Sequence, residues 1–343
     1  MSELVAALLD GTAPAGAEEF RSFWDRVLRR EAGAGEAVAV LTALSARMPH
    51  PSTVDAFVAT LAERRPGPVP RFPGAVNVVG TGGGPKTVNI STAAAFVAAA
   101  MGVPVVKTGS RGMSSRIGSV DLLDRLGVRP ARSYDEVGDQ LQRHGVSFAG
   151  QFVYPVELTA LARAVLPMSL RTIGRFVNAI GPFLAAVPVS AQLTGVSNRT
   201  HLPQLRLLAM RRTESRIWLC SNDLGADELL SFTANTVHDS ATGEDFTVEP
   251  DGPATGQELD DLSPVDDEHV AENFLSLLDG NAPRTAVKTV CLNAAALALL
   301  SGRQDGWTSA VSAAHEAVDS GAAAGLVERL RNDSTVAAGE RHG

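Results

Sequence analysis

Two consecutive strand–loop–helix units limit what this chain can fold into more than any other feature of its sequence. The apolar run 76–80 precedes a glycine-rich loop and the helical stretch 93–102, and the run 103–109 precedes a polar loop and the helical stretch 119–128. Such a repeat is typical of parallel strands joined by crossover helices. We therefore expect both loops side by side at the carboxyl edge of a parallel sheet, where α/β proteins bind ligands.

The remainder of the chain extends this α/β interpretation. Residues 1–66 have helical periodicity only, and the proline-rich segment 65–74 is interpreted as a linker. A further strand is predicted at 214–223, followed by long alanine-rich helices at 285–302 and 308–333. The predicted fold class is α/β, with a small N-terminal all-helical domain and a large α/β domain that has a central, mainly parallel sheet. The expected domains are residues 1–66, joined by helices from about 156–186, and residues 67–343.

Composition excludes several classes of function. The 343 residues are 45% hydrophobic and carry a net charge of −8, which argues against a nucleic-acid binder because counterion release requires a basic surface. Cys220 and Cys291 lie in apolar runs and form no C-x-x-C pair, so a zinc ribbon is excluded. We see no signal peptide and no uninterrupted membrane-length apolar stretch, and we expect a cytoplasmic protein without a membrane span.

The first loop carries glycines where a phosphate could approach the backbone. It runs from residue 80 to residue 92 and has the sequence GTGGGPKTVNIST. Glycine permits close approach of a ligand, and the free amides of the following helix favour an anion. The sequence is neither a Walker A motif nor G-x-G-x-x-G. A tight turn with an ordinary helix cap is the alternative that this loop alone leaves open.

Two further elements could join this loop at the sheet edge. The second loop, residues 107–115, offers the cations Lys107 and Arg111 together with three serine hydroxyls. The two loops together suit a ligand with two phosphate groups. The adjacent pair Asp227 and Glu228 follows the strand 214–223 and could hold magnesium together with phosphate oxygens. A solvated acidic surface is the alternative interpretation of this pair.

In combination, these motifs resemble those of the anthranilate phosphoribosyltransferase family. The GTGG…NIST loop, the KxGxRxxSS loop, the acidic pair and the LNAAA helix occur in family order, and the resemblance covers nearly the whole chain. It implies a homodimer formed through the N-terminal helical domain. It also implies magnesium-dependent transfer of phosphoribosyl from 5-phosphoribosyl 1-diphosphate (PRPP) to an aromatic small-molecule acceptor, with release of diphosphate.

The resemblance also implies roles for individual residues. Donor binding is implied for Gly80, Thr81, Gly82, Gly83, Thr87, Asn89, Ser91, Thr92, Lys107, Ser110, Arg111, Ser114, Ser115 and Ser119. Magnesium binding is implied for Ser91, Asp227 and Glu228. Lys107 and Arg111 would stabilise charge in the transition state, and no residue is assigned to covalent or acid–base chemistry.

Departures from the family pattern cluster on the acceptor side. The family's KHGNR reads KTGSR here, so Thr108 replaces a histidine and Ser110 replaces an asparagine. Met113 places a bulky side chain where the family has the second of two small residues. Tyr154 falls near the position of the histidine in the family's FAPxxHP motif. The arginine expected to face an acceptor carboxylate falls near Val165. The acceptor-binding candidates are Thr108, Ser110, Met113, Tyr154, Arg163 and Arg171.

Four functions remain open on this basis. One is transfer to a different aromatic or heteroaromatic acceptor in specialised metabolism, and another is a divergent anthranilate enzyme in which Arg163 or Arg171 binds the carboxylate. A third is an enzyme like the pyrimidine nucleoside phosphorylases, because the string GSRGM in this chain resembles their GRGL-type phosphate loop. The retained acidic pair counts against this alternative. The fourth is a non-catalytic paralogue, which weak or absent donor binding would support.

Overall fold

The N-terminal residues form a helical layer. The structure is a computed structural model that describes residues 2–11, 13–109, 118–250, 252 and 258–339. The layer begins with α1 (Glu3–Asp10), α2 (Ala17–Leu28), α3 (Ala34–Ala46) and α4 (Pro51–Glu63). Trp24 and Phe57 are completely buried between these helices, with ring centroids 5.1 Å apart, and Trp24 Nε1 donates a hydrogen bond of 3.2 Å to Thr60 Oγ1. The predicted all-helical N-terminal region is therefore confirmed.

A seven-stranded sheet forms the centre of the remaining chain. Its strands are β1 (Phe72–Gly80), β2 (Val105–Thr108), β3 (Val146–Ala149), β4 (Val189–Gly195), β5 (Arg216–Asn222), β6 (Asn235–Asp239) and β7 (Asp245–Val248). The spatial order is β3-β2-β1-β4-β5-β6-β7, and the first five positions pair in parallel while β6 and β7 are antiparallel. The predicted mainly parallel sheet is confirmed, and the carboxyl ends of β2, β1, β4 and β5 lie at one edge.

Helices cover both faces of the sheet. They are α5 (Ile90–Ala100), α6 (Ser119–Leu126), α7 (Tyr134–His144), α8 (Val156–Ala164), α9 (Leu170–Ile173), α10 (Arg175–Ile180), α11 (Leu202–Arg211), α12 (Glu258–Asp261), α13 (Val270–Leu278), α14 (Arg284–Leu300), α15 (Trp307–Asp319) and α16 (Ala322–Gly339). Short 3₁₀ turns occupy 151–153, 181–183 and 199–201. Within the part of the chain that the structure describes, no helix is both long and apolar enough to span a bilayer.

Several element boundaries differ from those predicted. Strand β1 begins at Phe72, so the predicted linker 65–74 is too long. Helix α5 begins at Ile90, which places Ser91 and Thr92 in its first turn instead of before it. The single helix predicted for 308–333 is wrong because Gly321, with φ of +73°, separates α15 from α16. Left-handed backbone favours glycine and ends a helix.

The two faces of the sheet belong to different hydrophobic cores. One face packs Val76, Val78 and Trp218 with α5 and α14. On the other face, Ile217 and Leu219 share a core with α1–α4 and with apolar residues between 161 and 184. The later helices therefore pack with the N-terminal ones, although the division into domains 1–66 and 67–343 remains a prediction.

Candidate active site

A cavity lies at the carboxyl edge of the sheet, between the sheet and the helical layer. Its volume is about 660 Å³. The ends of β1 and β2 and the glycine loop form one wall. Apolar side chains of α8–α10, including Leu158, Ala162, Leu170 and Val177, form the opposite wall. The glycine loop and the described start of the second loop, residues 107–109, therefore line the same space.

The glycine loop is held in place by the two loops that follow β4 and β5. Gly82 and Gly83 have φ values of +66° and +85°, a region that L side chains rarely adopt. Ser197 Oγ donates a hydrogen bond of 2.5 Å to the Gly82 carbonyl, and the Ser197 amide donates one of 3.1 Å to Thr81 Oγ1. A Cβ atom at Gly84 would lie 2.3 Å from the carbonyl oxygen of Gly225. The loop backbone is thus constrained before any ligand binds.

The acidic pair reaches the cavity and contacts the glycine loop directly. The Gly82 amide donates to Asp227 Oδ2 at 2.7 Å, and Thr87 Oγ1 donates to Glu228 Oε1 at 3.1 Å. Burial raises the pKa of both carboxyl groups, and the charge of Asp227 raises that of Glu228 further. Glu228 Oε2 is buried and accepts no hydrogen bond from the residues that the structure describes. The pair is therefore a half-buried acidic site and not a solvated surface.

Gly195 allows the acidic pair to approach the strands this closely. A Cβ atom at residue 195 would lie 1.6 Å from the backbone oxygen of Asp227, and one at Gly80 would lie 2.0 Å from Asp227 Oδ2. The contact at residue 195 would require backbone movement, and the one at residue 80 would displace the carboxylate of Asp227. Two strand ends without side chains thus provide the space that Asp227 occupies.

Lys107 supplies positive charge to the same cavity. Its side chain is only 4% exposed, and its ammonium donates to the backbone oxygen of Val78 at 3.1 Å. Burial lowers the pKa of Lys107 to about 8, although the carboxylates of Asp227 and Glu228 oppose that shift. An anion bound near this lysine would restore the charged form.

The acidic pair could hold a divalent cation. Within residues 2–11, 13–109, 118–250, 252 and 258–339 there is no cluster of three or more His, Cys, Asp or Glu side chains suited to a metal. Magnesium, however, commonly takes one or two carboxylates and completes its shell with water and phosphate oxygens. The unpartnered Glu228 Oε2, together with Asp227 and the Ser91 hydroxyl at the same cavity, fits that mode of binding.

A hydrogen-bonded network of buried polar side chains lies in the sheet at the edge of the cavity. Thr108 is completely buried on β2, and its amide donates to Asn77 Oδ1 at 3.0 Å. Asn77 Nδ2 donates to Gln192 Oε1 at 3.1 Å, and Gln192 Nε2 donates to Thr194 Oγ1 at 2.9 Å. The network thus connects β1, β2 and β4, and Thr108 itself lines the cavity.

The structure brings most of the predicted site residues together. Cavity-lining positions from the sequence prediction are Gly80, Thr81, Gly82, Gly83, Thr87, Asn89, Ser91, Lys107, Thr108, Ser119, Tyr154, Asp227 and Glu228. The predicted residues Ser110, Arg111, Met113, Ser114 and Ser115 lie outside the described residues. Placement in one cavity is the finding, and the individual binding roles remain predictions.

Three predicted residues do not line the cavity. Thr92 is completely buried within α5, so its placement on the donor wall is corrected. Arg163 and Arg171 are exposed at the surface and are absent from the lining. Successive helical residues are about 100° apart, so Ala162 faces the cavity while Arg163 does not. This placement does not support either arginine as the carboxylate contact.

The sequence prediction missed several residues that shape the site. These are the network members Asn77, Gln192 and Thr194, the loop contact Ser197, and the lining residue Asn178. Asn77 interrupts an apolar strand and Gln192 is buried in β4, and polar residues at such buried positions are uncommon. That contrast was the signal available in the sequence.

The fold and this site define a transferase of the glycosyl transferase class. Residues 73–324 match a family model described as the glycosyl transferase family, a/b domain. The anthranilate phosphoribosyltransferase of Methylorubrum extorquens (strain PA1) is 32% identical over 94% of this chain and 96% of its own length. That of Myxococcus xanthus (strain DK1622) is 34% identical over 76% of this chain and 78% of its own.

Solved structures agree with these relatives. Anthranilate phosphoribosyltransferase from Thermus thermophilus superimposes with a TM-score of 0.79 at 28% identity, covering 98% of this chain and 100% of that one. The Saccharomyces cerevisiae enzyme in complex with PRPP and Mg shares the fold, with a TM-score of 0.76 at 19% identity over 93% of this chain and 92% of that one. The chain therefore belongs to the anthranilate phosphoribosyltransferase family, and it is a pentosyltransferase.

Proposed function

We propose that this protein transfers the phosphoribosyl group of PRPP to an aromatic or heteroaromatic acceptor, with magnesium, and releases diphosphate. One observation carries the proposal: the glycine loop, Lys107 and the pair Asp227 and Glu228 line one cavity with an apolar opposite wall. The glycine loop, Lys107 and the acidic pair suit a phosphorylated donor with magnesium, and the apolar wall suits a flat aromatic acceptor. Relatives named as anthranilate phosphoribosyltransferases support this choice.

The donor end offers several groups to phosphate. The loop backbone at 80–84, the ammonium of Lys107 and the first turn of α6 at Ser119 all lie along the cavity. Backbone amides and helix N-termini bind phosphate oxygens without reorganising. We place PRPP's two phosphorylated ends between these groups. We also propose that Ser110, Arg111, Ser114 and Ser115 contact the donor.

The acidic pair explains why a cation is needed. The Gly82 amide and the Thr87 hydroxyl, both suited to phosphate, contact carboxylate oxygens in this structure. A diphosphate arriving there would face two negative side chains. Asp227, Glu228 and Ser91 would hold the magnesium ion that separates these like charges. When bound, magnesium stabilises the negative charge that develops on the departing diphosphate.

The protein's own residues contribute mainly position and electrostatics. The bond from ribosyl C1 to the diphosphate oxygen breaks while a bond from C1 to the acceptor's nucleophilic atom forms, through an oxocarbenium-like state. Lys107 stabilises charge on the leaving group, and the wall of Leu158, Ala162 and Val177 orients the acceptor and excludes water. Holding two reactants in line supplies much of the rate enhancement in such a reaction.

Three finer features belong to the same proposal. We propose a homodimer formed through the N-terminal helices and a cytoplasmic location. A role in specialised metabolism is proposed because the changes at Thr108 and Tyr154 fall on the acceptor side. Light scattering during size-exclusion chromatography tests the dimer, with a mass of one chain, 35.8 kDa, as the contradicting result.

The test follows diphosphate release and anthranilate fluorescence together. Purified protein is mixed with PRPP, magnesium and anthranilate, and diphosphate release is expected to depend on both the acceptor and the metal. The variant Asp227→Asn with Glu228→Gln is the inactive control. Failure to bind PRPP with magnesium in calorimetry would contradict the proposal. Metal-independent cleavage of nucleosides by inorganic phosphate would favour the phosphorylase alternative instead.

A further inference from the structure

Ser197 has a fixed place beside the glycine loop. It lies two residues beyond the end of β4, where the Val196 amide donates to the backbone oxygen of Cys220 on β5 at 2.7 Å. On the other side of β4, the Thr81 amide donates to the backbone oxygen of Gly195 at 2.9 Å. The ends of β1, β4 and β5 therefore hold the backbone of Ser197 next to the start of the glycine loop.

The hydrogen bonds of Ser197 have one consistent arrangement of protons. The Gly82 carbonyl oxygen can only accept, so the single hydroxyl proton of Ser197 is donated to it at 2.5 Å. The Thr81 hydroxyl lies 3.3 Å from Ser197 Oγ and donates to it, while Thr81 Oγ1 accepts from the Ser197 amide at 3.1 Å. The Gly82 carbonyl is thus the end point of a directed chain of hydroxyl groups.

This chain determines the orientation of the peptide bond between Gly82 and Gly83. The bond is trans, and in a trans peptide the carbonyl oxygen and the following N–H point in opposite directions. Gly82 and Gly83 line the cavity, whereas Ser197 is not among the described lining residues. Because the carbonyl oxygen is drawn towards Ser197, the Gly83 amide points away from Ser197 and towards the cavity.

Glycine at position 83 serves this orientation and is not needed for space. Apart from the adjacent residues, the nearest described atom to an added Cβ would be Ser197 Oγ, at 3.8 Å. The backbone, however, has φ of +85°. Turning the peptide over would change φ by about 180°, to the negative values that all residues accept. Glycine accepts both signs of φ, so the bond from Ser197 selects between the two orientations.

The two orientations differ in what they offer to a phosphate. In the observed orientation an N–H group faces the cavity, whereas in the other a carbonyl oxygen would face it and repel phosphate oxygens. The adjacent Gly82 amide is bonded to Asp227, which holds magnesium under the proposed function. Magnesium binds in proteins together with phosphate oxygens, so the diphosphate of PRPP is the group expected beside Gly83.

We propose that Ser197 is a positioning residue for the donor: its hydroxyl holds the Gly82–Gly83 peptide so that the Gly83 amide donates a hydrogen bond to the diphosphate of PRPP. This inference rests on the proposed function and adds to it a residue outside the cavity. Ser197 acts through the loop backbone and does not contact the substrate.

The test measures binding of inorganic diphosphate with magnesium by calorimetry. Ser197→Ala leaves the Gly82 carbonyl without its donor, so the peptide turns towards water in the cavity and diphosphate must turn it back. We expect the affinity to fall roughly 3–10-fold, the usual effect of one hydrogen bond. Ser197→Thr keeps the hydroxyl and is expected to restore the affinity to within about twofold of the wild type.

Ser309→Ala is the matched control. The exposed Ser309 hydroxyl also donates to a backbone oxygen, that of Gly306 at 3.0 Å, but it lies at the start of α15 and does not line the cavity. The same chemical deletion at this position is expected to leave the affinity for diphosphate unchanged. An equal loss in both alanine variants would overturn the inference.

Steady-state kinetics separate positioning from a general loss of structure. The Gly83 amide would contact the diphosphate before the reaction as well as during it. Ser197→Ala should therefore raise KM for PRPP in proportion to the loss of affinity, with kcat within about twofold of the wild type. A merely structural role would instead lower kcat, through a smaller active fraction, and leave KM unchanged.

The outcomes distinguish this inference from the proposed function. If the wild type binds PRPP and diphosphate with magnesium, an unchanged affinity in Ser197→Ala overturns the inference while the proposed function stands. A lower kcat with unchanged KM for PRPP overturns it in the same way. If the wild type binds neither PRPP nor diphosphate with magnesium, the proposed function fails, and this inference fails with it.

Discussion

The amide of Gly82 donates a hydrogen bond of 2.7 Å to Asp227 Oδ2 across 145 positions of sequence. The bond joins the glycine loop after β1 to the turn after β5, so these loops form one structural unit. Under the proposed function, a donor phosphate at the Gly82 amide would have to displace or bridge this carboxylate.

Removing the charge of Glu228 should stabilise the metal-free protein. Burial and the neighbouring Asp227 raise the pKa of Glu228, which means that its ionised form is disfavoured in the folded state. We expect Glu228→Gln to raise Tm in buffer containing EDTA, and to lose the rise in Tm that magnesium with diphosphate gives to the wild type. Calorimetric melting with and without metal measures both effects. Glu63→Gln, at an exposed carboxylate, is the control.

Donor affinity should fall as pH rises through the pKa of Lys107. Burial lowers that pKa to about 8, so the ammonium is charged below this pH and neutral above it. From pH 7 to pH 9 the loss of charge should weaken binding of magnesium diphosphate by up to about tenfold. Calorimetry measures the affinities, and Lys107→Met should show only the pH dependence of diphosphate itself. Parallel pH profiles in the two proteins would contradict this role of Lys107.

A methyl group at Gly195 should disrupt the site. Its Cβ atom would lie 1.6 Å from the backbone oxygen of Asp227, so β4 or the acidic turn must move. We expect Gly195→Ala to lower the free energy of unfolding by roughly 3 kcal/mol or more. Gly35→Ala is the matched control because no atom lies within 4 Å of its added Cβ. That control should be neutral or stabilising, since alanine favours the helix by about 1 kcal/mol.

Two half-buried arginines should show non-additive effects on stability. Arg212 donates to the backbone oxygens of Phe183 and Ala185, and Arg65 donates to that of Leu184 at 3.1 Å. Replacing either arginine with alanine should lower the free energy of unfolding by about 1–3 kcal/mol, because the carbonyls of residues 183–185 lose these hydrogen bonds. Burial and the charge of Arg65 lower the pKa of Arg212 to about 10, so the two guanidinium groups repel each other. Each single variant also relieves this repulsion, so the double variant should lose more stability than the sum of the two single losses in denaturant unfolding. A loss smaller than the sum would contradict the repulsion.

The first two strand–loop–helix units and the residues that line one wall of the cavity could be predicted because they depend on local signals. Glycine runs, apolar periodicity and the acidic pair at Asp227 and Glu228 lie in short stretches of sequence. The network of Asn77, Thr108 and Gln192 could not be predicted, because it depends on which strands are neighbours in the sheet. Strand order β2-β1-β4 brings together residues that are far apart in the chain.

The misplaced residues have a different physical origin. Thr92 and Arg163 each stand next to a residue that does line the cavity, Ser91 and Ala162. One step along a helix rotates a side chain by about 100°, so proximity in sequence does not assign a helical residue to a wall. Only the exact start of α5 at Ile90 shows that Ser91 faces the cavity while Thr92 does not.

The separation of the sheet into two faces has a consequence for how such enzymes diversify. The glycine loop adjoins the core of α5 and α14, while the cavity wall of α8–α10 adjoins the core shared with the N-terminal helices. Under the proposed function, the first wall binds the donor and the second binds the acceptor. A lineage could then keep its leaving-group chemistry and exchange the molecule that it ribosylates through side chains of the helical layer.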